Sequence, residues 1–598
     1  MRVADYVMTF LARHGVQDIF MVSGGGIMHL VDAAGQADGM NYWCNYHEQA
    51  CGVSAEGYAR VTGKPGACLA TVGPGASNLV SGIIGAWVDS IPLLAIVGQV
   101  RRDLVADYSR VRQRGPQEGN TLALASPVTK LALTVSDPKM VRHDLEHAWH
   151  VATSGRPGPV LIEIPLDIQG SLIDEAELCG FVPPAPMSGS GRLAAEVRQV
   201  VEVLRAAKRP LLLGGSGVRL GHAEALFNEV VDKLRIPVVL PDAAKDLLPE
   251  DHPGNLGIFG TAGQRRANFA VQNSDCLLSL GAGLCVKKVG FNYRGFAPKA
   301  RKIVVDIDVG QLLHQAVRPD IPVLADVREF LQLLSRELDA NPIDPPPRWL
   351  AACAMWKAKY PLIVPDYFDD RNHVNSYVFV DRLSDALGPS DVIVGGSGLD
   401  TVSCIQALKV KQRQRFFTSI NWGSMGWDLP MAVGACIANG RRRTVCVTGD
   451  GSVQLNLQEL MTIRQYRLPI KLFVFNNQGY ASIRSTQQAF FDGRLVGSHP
   501  SSGVTSPDFA KLAAAYGLPF LHIENNDAVE ATLQEALALE GPVLCEVNIS
   551  PEQGITPKAS SFRRADGTFE SRPLEDMAPF LPREEIAGNM SLFDDEGP

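Results

Sequence analysis

Thr444–Tyr480 reads TVCVTGDGSVQLNLQELMTIRQYRLPIKLFVFNNQGY, and its reading decides the fold. A β-branched apolar run, Thr444–Thr448, meets the abrupt turn Gly449-Asp450-Gly451. Apolar residues then recur at helical spacing (Val453, Leu457, Leu460, Met461), and a second apolar run, Ile470–Phe475, ends in Asn476-Asn477. Strand, turn, helix, strand and turn make a βαβ unit. Both polar turns of such a unit lie at the carboxyl edge of a parallel sheet, where ligands bind. That edge offers a carboxylate (Asp450), an amide oxygen (Asn477) and bare glycine backbone. Hard cations such as Mg²⁺ take this oxygen set, usually together with substrate phosphates. Taken alone, the same residues would also serve as ordinary glycine and asparagine turns.

Working outward, the 598 residues exceed what one core supports, so about three domains are expected. With 46% hydrophobic and 20% charged residues the chain is an ordinary globular composition. A net charge of −8 argues against a nucleic-acid or anionic-membrane partner. Eleven cysteines without a CxxC pair argue against zinc sites and disulfide frameworks, and read as small buried apolar residues in a reducing compartment. The opening MRVADYVMTFLARHGV is an amphipathic helix rather than a signal peptide. Leu79–Val100 is apolar over a membrane-spanning length, but Asp89 and Pro92 divide it into a buried helix ending near Asp89 and a strand at Leu93–Val97. The expectation is a soluble, cytoplasmic protein.

Residues 1–172 alternate helical and strand patterns and close on the strand Pro159–Pro165. Val182–Arg192 (VPPAPMSGSGR) has linker composition. A second block, 193–340, carries strands at Pro210–Leu213, Pro237–Leu240, Cys276–Leu280 and Lys302–Ile307. Asn341–Arg348 (NPIDPPPR) leads to a third block, 355–550, and a polar tail, 551–598, that would be a surface wrap or a lid. The alternation predicts an α/β protein of three doubly wound parallel-sheet domains. No short-period repeat is visible.

The GDG followed by NN, with 24 residues between Gly451 and Asn476, resembles the thiamine diphosphate motif. The resemblance implies that Asp450 and Asn477 bind Mg²⁺ through their side chains and Gly479 through its carbonyl, the metal anchoring the cofactor's diphosphate. Phe20–Ala33 (FMVSGGGIMHLVDA), Asn45–Gly63, Ala70–Asp89 (ATVGPGASNLVSGIIGAWVD) and Arg156–Gln169 (RPGPVLIEIPLDIQ) resemble, in order, the pyrimidine-binding domain of acetolactate-synthase-like thiamine diphosphate enzymes. Such enzymes need a carboxylic acid beside the aminopyrimidine ring, and a glutamate serves because burial tunes its proton affinity. Glu48, in Tyr46-His47-Glu48-Gln49, is that residue by resemblance; without context it would be a solvated helix-start charge. Thr418–Pro430 (TSINWGSMGWDLP) resembles the segment before the GDG. It implies Met425 as the wedge that bends the cofactor and the Gly423 carbonyl as acceptor for its amino group. Gly395, Gly396 and Ser397, with Gly449, Gly451 and Ser452, would approach the diphosphate, where backbone amides suit an anion. Tyr480 and, from the first block, Gly24, Gly25, Gly73 and Asn78 complete the implied cofactor-binding set. In that family the pyrimidine-binding domain of one subunit faces the diphosphate-binding domain of another, which implies a homo-oligomer with its active sites at the subunit interface.

Three positions depart from the biosynthetic acetolactate synthases: Leu166 where they carry lysine, Thr486 where they carry tryptophan, and His29 where they carry proline. A histidine there could relay protons, or simply begin a helix. Gln117 matches and would hydrogen-bond substrate. Gly214–Gly217, Gly257–Gly263, Gly281–Gly283 and Asp306–Asp308 echo FAD-binding positions, but without a full dinucleotide fingerprint and with Leu284-Cys285 in place of arginine. FAD therefore stands open as a second cofactor. The leading expectation is decarboxylation of a 2-oxo acid, pyruvate first, with carboligation to a second carbonyl compound. Simple decarboxylation, hydrolysis of a diketone C–C bond, and a non-catalytic subunit are the alternatives, the last disfavoured because Glu48, Asp450 and Asn477 are all present.

Overall fold

Apolar runs with buried residues on both faces need a helix on each side, and the chain builds three such layers. A computed structural model describes residues 1–184 and 190–596. The first sheet consists of β1 (Asp18–Met21), β2 (Asn41–Cys44), β3 (Gly66–Ala70), β4 (Leu93–Gln99), β5 (Leu131–Thr134) and β6 (Pro159–Pro165), ordered β2-β1-β3-β4-β6-β5. The second holds β7 (Pro210–Gly214), β8 (Val238–Leu240), β9 (Asn255–Ile258), β10 (Cys276–Leu280), β11 (Arg301–Asp306) and β12 (Ile321–Leu324), ordered β12-β11-β10-β7-β8-β9. The third holds β13 (Val392–Gly395), β14 (Arg415–Phe417), β15 (Thr444–Gly449), β16 (Ile470–Asn476), β17 (Phe520–Ile523) and β18 (Val543–Asn548), ordered β14-β13-β15-β16-β18-β17. All strand pairs in these sheets are parallel. The first and third sheets share one topology, a repeat of fold that the residues do not display. Their strand order reverses between β1 and β3 and between β13 and β15; the second sheet's reverses between β7 and β10. These reversals open the crevices in which ligands bind.

The expected strands are present, and the second sheet gains β9 and β12. Both are four residues long, and β12 carries Pro322 on an edge where only alternate residues are buried. The amino-terminal helix is Val3–Arg13, and Leu79–Val100 divides as expected into helix Pro74–Asp89 and β4. Among the described residues no helix is long and apolar enough to cross a membrane. Residues 185–189 of the first linker lie outside the described residues, and helix Ser190–Ala206 starts before the linker composition ends. The prolines of the second linker lead straight into helix Pro347–Lys359, with proline in the first turn where the lost N–H costs nothing. Eight of the eleven cysteines are buried and none is in a disulfide.

The tail is less polar in effect than in composition. Leu574, Met577 and Phe593 are buried, Asn268 Nδ2 donates to the Leu574 carbonyl at 2.9 Å, and Trp356 Nε1 donates to Asn589 Oδ1 at 2.9 Å. It wraps the helices of the second sheet, while its hairpin Ser561–Arg563/Phe569–Ser571 reaches helix Ala481–Phe490 through the Phe490–Phe569 ring contact at 4.9 Å.

The first and third sheets are docked by helices α1 (Glu48–Thr62) and α2 (Asp428–Ala438). A Cβ on Gly434 would lie 1.8 Å from the Ser54 carbonyl oxygen, and one on Gly57 would lie 2.6 Å from the Met431 carbonyl oxygen. Ser54 Oγ donates to the Pro430 carbonyl at 2.9 Å, and Glu459 accepts from Asn45 Nδ2 at 2.8 Å and from the Tyr46 amide at 3.0 Å. Gly434→Ala would gain up to about 1 kcal/mol of helix propensity. We expect it instead to destabilise the protein by about 1–3 kcal/mol through overpacking. The midpoint of denaturant unfolding checks this; an unchanged or higher midpoint would contradict the backbone-to-backbone crossing.

Candidate functional site

Adjacent parallel strands in register bring the two polar turns of the opening sequence together. Gly449 of β15 pairs with Phe475 of β16, so Asp450 and Asn477 emerge side by side at the carboxyl edge. Asp450 is 1% exposed; its Oδ2 accepts from the Gly479 amide at 2.8 Å and from Ser506 Oγ, and its Oδ1 from the Gly451 amide at 3.0 Å. Burial pushes this carboxyl above its ordinary range, a cost that a nearby cation would relieve. Asn477 is buried, and its Oδ1 has no hydrogen-bond partner. A buried amide oxygen without a donor beside a desolvated carboxylate is a donor set suited to a hard cation.

Arg484 holds this loop in place, a role the sequence did not reveal. Its guanidinium is buried and donates to the carbonyls of Asn477 (2.8 Å), Gln478 (3.1 Å), Ser498 (3.3 Å) and Pro551 (3.1 Å). Four carbonyls converging on one planar donor group tie the backbone just before Gly479 to two other segments, and the φ of +118° at Gly479 is one that only glycine adopts readily.

The glycine turns leave space for what approaches them. A Cβ on Gly451 would fall 2.4 Å from the Tyr480 ring and 3.4 Å from Met425 Cε, so these three residues meet. Gly395 and Gly396 are buried at the end of β13, and Ser397 Oγ donates to the Gly423 carbonyl at 3.2 Å. Ser452 Oγ accepts from the Gly426 amide at 2.9 Å. The third-sheet members of the expected set thus surround one crevice at the β13/β15 reversal.

The first-sheet members gather at the β1/β3 reversal. Glu48 is the first residue of α1, capped by the His47 side chain, which accepts from the Gln49 amide. The Glu48 carboxylate is half-buried and accepts from Asn78 Nδ2 at 3.0 Å, so Asn78 spends an amide hydrogen on Glu48. Gly24 packs on Thr71, 2.6 Å from where its Cβ would lie. A Cβ on Gly73, at φ +67°, would strike the Gln117 carbonyl oxygen at 1.8 Å. The Gln117 loop therefore lies directly on Gly73; it is shaped by buried Glu118, which accepts from the amides of Ala106, Arg114 and Gly115. Gly25 stands open, and the His29 ring packs against Gly170, just after helix Leu166–Gln169. His29 and Leu166 thus share a corner, whereas Thr486 lies exposed on the third-sheet side, its Oγ1 donating to the Ser482 carbonyl at 3.1 Å. Glu48 and Asp450 keep separate bonding networks, with no bond between them.

At the β7/β10 reversal lies a cleft of about 330 Å³, lined by Gly217, Gly281, Gly283, Asp306, Arg156 and Lys287 among others. The two glycine loops touch: a Cβ on Gly215 would lie 2.2 Å from Ala282 Cα. Asp306 ends β11, and burial raises its carboxyl above the usual range. Arg156 pairs with Asp308 at 3.0 Å on the rim.

Comparison with known proteins agrees with this layout. Residues 1–124 match the N-terminal TPP binding domain of thiamine pyrophosphate enzymes, 197–334 their central domain, and 396–547 their C-terminal TPP binding domain. Thiamine pyrophosphate is thiamine diphosphate under its other name. The acetolactate synthase large subunit of Porphyra purpurea is 33% identical over 560 residues, covering 92% of each chain. Two large subunits from Escherichia coli K12 are similar at the same level. Isozyme 1 is 31% identical over 93% of this chain and 95% of its own; isozyme 2 is 33% identical over 93% and 97%.

Proposed function

The chain belongs to the thiamine pyrophosphate enzyme family, is acetolactate synthase-like and is a thiamine diphosphate-dependent enzyme; from that premise we propose that it decarboxylates a 2-oxo acid, pyruvate first, and joins the remaining two-carbon unit to a second carbonyl compound. The observation that carries the reading is the orphaned Asn477 Oδ1 beside buried Asp450 at the reversal of the third sheet. Bound thiamine diphosphate supplies a carbanion nucleophile and a sink for the electrons released with CO₂.

The chain's own residues do the rest. Asp450 and Asn477 through their side chains, and Gly479 through its carbonyl, would hold Mg²⁺. Gly395, Gly396, Ser397, Gly449, Gly451 and Ser452 would turn backbone toward the diphosphate. Met425 and Tyr480 would pack against the bound cofactor, and the Gly423 carbonyl, which has a second lone pair beyond its bond from Ser397, would be able to accept from its amino group. Glu48 would hold and exchange a proton at its carboxylate, which Asn78 Nδ2 orients at 3.0 Å. Gln117 would hydrogen-bond the substrate, while His29 and Leu166 sit together at the Gly170 corner. The wall left open by Thr486 suits a larger or more polar acceptor than that of the biosynthetic synthases.

The two halves come together when a second copy supplies the missing edge. Exposed apolar side chains adjoin both: Met28 and Tyr46 beside the Glu48 half, Trp422, Leu455 and Ile483 beside the Asp450 half. A homo-oligomer covers them, with small molecules rather than nucleic acid or membrane as the other partners, in the cytoplasm. The working domain division is 1–172, 193–340 and 355–550, followed by the polar tail 551–598. The central cleft suits a nucleotide, its glycine loops meeting phosphate and Asp306 the ribose, and FAD is the nucleotide that the resemblance admits. Protein precipitated by acid should release an adenine nucleotide or flavin into the supernatant; none, from protein that also binds neither when added, would remove this second cofactor.

Proton NMR of the protein with Mg²⁺, thiamine diphosphate and pyruvate tests the main reading. Acetolactate or acetoin is the expected product, and Glu48→Gln should bind cofactor yet lose at least about 100-fold in turnover. Acetaldehyde alone would replace carboligation by simple decarboxylation. No consumption of pyruvate would overturn pyruvate as donor and turn the test to diketones, on which hydrolysis would appear as two acids or an acid and a ketone.

A further inference from the structure

Beneath the crevice of the third sheet lies an acid pair that no role above employs. Asp400, in the first turn of helix Leu399–Ala407, is 2% exposed, and Asp428, which begins α2, is 0% exposed. A Cβ on Gly396 would stand 2.2 Å from Asp400 Oδ2 and 2.6 Å from Asp428 Oδ2, so the two oxygens converge on one point. Asp428 is fully supplied with donors: Thr448 Oγ1, Ser452 Oγ at 2.9 Å and the Leu429 amide at 2.9 Å. Asp400 Oδ2, by contrast, is buried with no hydrogen-bond partner. Two anionic carboxylates crowding one dry site repel strongly; one proton between them turns the orphaned oxygen into a donor.

We propose that Asp400 and Asp428 share one proton and act as a positioning pair, the neutral Asp400 carboxyl donating to anionic Asp428. Asp428 accepts from Ser452 Oγ, and Ser452 Oγ accepts from the Gly426 amide at 2.9 Å. The Gly426 carbonyl is in turn held by Asn456 Nδ2 at 2.6 Å. The pair thereby ties the loop after β13, the turn after β15 and the backbone beside Met425 into one wall. The idea that this wall cradles thiamine diphosphate rests on the function proposed above; the shared proton itself does not.

Burial, with the Asp428 charge next in weight, lifts the Asp400 carboxyl to about 8, and burial raises Asp428 as well. The other titratable groups around the pair are Cys404 on the same helix, Cys446 on β15, and Lys245 from the second sheet's domain, whose charge acts on Cys404. A carboxyl whose folded value is raised contributes its stability below the unfolded value and loses it as pH rises through the folded value. The wall should therefore loosen, and a second negative charge should face the diphosphate, above about pH 8. With one proton linked, cofactor affinity should fall by up to about tenfold per pH unit beyond that point.

Infrared spectroscopy and cofactor titration of the full-length protein test this together. At pH 7 the neutral-carboxyl band of wild type should exceed that of Asp400→Asn by one carboxyl's intensity, and that increment should bleach as pH rises through about 8. Thiamine diphosphate affinity, measured calorimetrically with Mg²⁺ at a series of pH values, should fall on the alkaline side for wild type and lose that limb in Asp400→Asn. An equal band in both proteins, a band unchanged to pH 10, or the same alkaline limb in both would overturn the pair. If wild type binds no thiamine diphosphate at any pH, the cofactor reading fails, while the infrared increment still decides the shared proton. Should the variant not fold, bleaching of the wild-type band carries the test without any substitution.

Discussion

Gly57 and Gly434 let two helices approach until side-chain-free backbone meets backbone, and the rest of the site depends on that crossing. It locks the carboxyl edge of the first sheet to one orientation against the third within a chain. Polar contacts reinforce it where apolar packing alone would let the helices slide: Trp427 Nε1 donates to Glu56 Oε2 at 3.2 Å, and Asn421 Nδ2 to Asp89 Oδ1 at 2.7 Å. Glu56 and Asp89 both pair with Arg60, a largely buried cluster in which loss of one partner strands the others. Within the chain Glu48 and Asp450 hold separate hydrogen-bond networks, the two halves that the proposed second copy would join.

The third sheet keeps three negative groups beside the crevice proposed for an anion. Asp450, Asp400 and Asp428 are all buried near the glycine turns, and burial pushes each of them up. A cation at Asp450 and a shared proton between the other two would lower the net charge facing the diphosphate. Arg484, threaded under the Asn477–Gly479 loop, adds fixed positive charge from below. Metal, proton and guanidinium would then act on one electrostatic problem together.

Much of this was legible in the residues. Thr444–Tyr480 switches from strand to helical spacing and back with glycine and asparagine at the turns, so local pattern and global fold agree there. Glu48 became a candidate only through its neighbours, since a glutamate at a helix start has no distinguishing local signal. The strands β9 and β12 escaped because four residues with a glycine or a proline carry too little periodicity. Burial in the tail escaped for a related reason: Leu574, Met577 and Phe593 are isolated apolar residues in a polar stretch. Arg484 and the Asp400–Asp428 pair depend on loops and elements distant in sequence, and a spacing rule cannot anticipate them. The shared topology of the first and third sheets is likewise a property of strand order, not of residue identity.

The claim that two copies complete one reaction centre is tested most directly by mixing two inactive proteins. Glu48→Gln disables the first-sheet half and Asp450→Ala the third-sheet half. Co-expressed with separate tags and purified as the mixed oligomer, they should recover a substantial fraction of wild-type turnover, because one of the two shared sites is then built from intact halves. A mixed oligomer as inactive as either parent, with cofactor and metal in excess, would contradict the shared site and place both halves in a single chain.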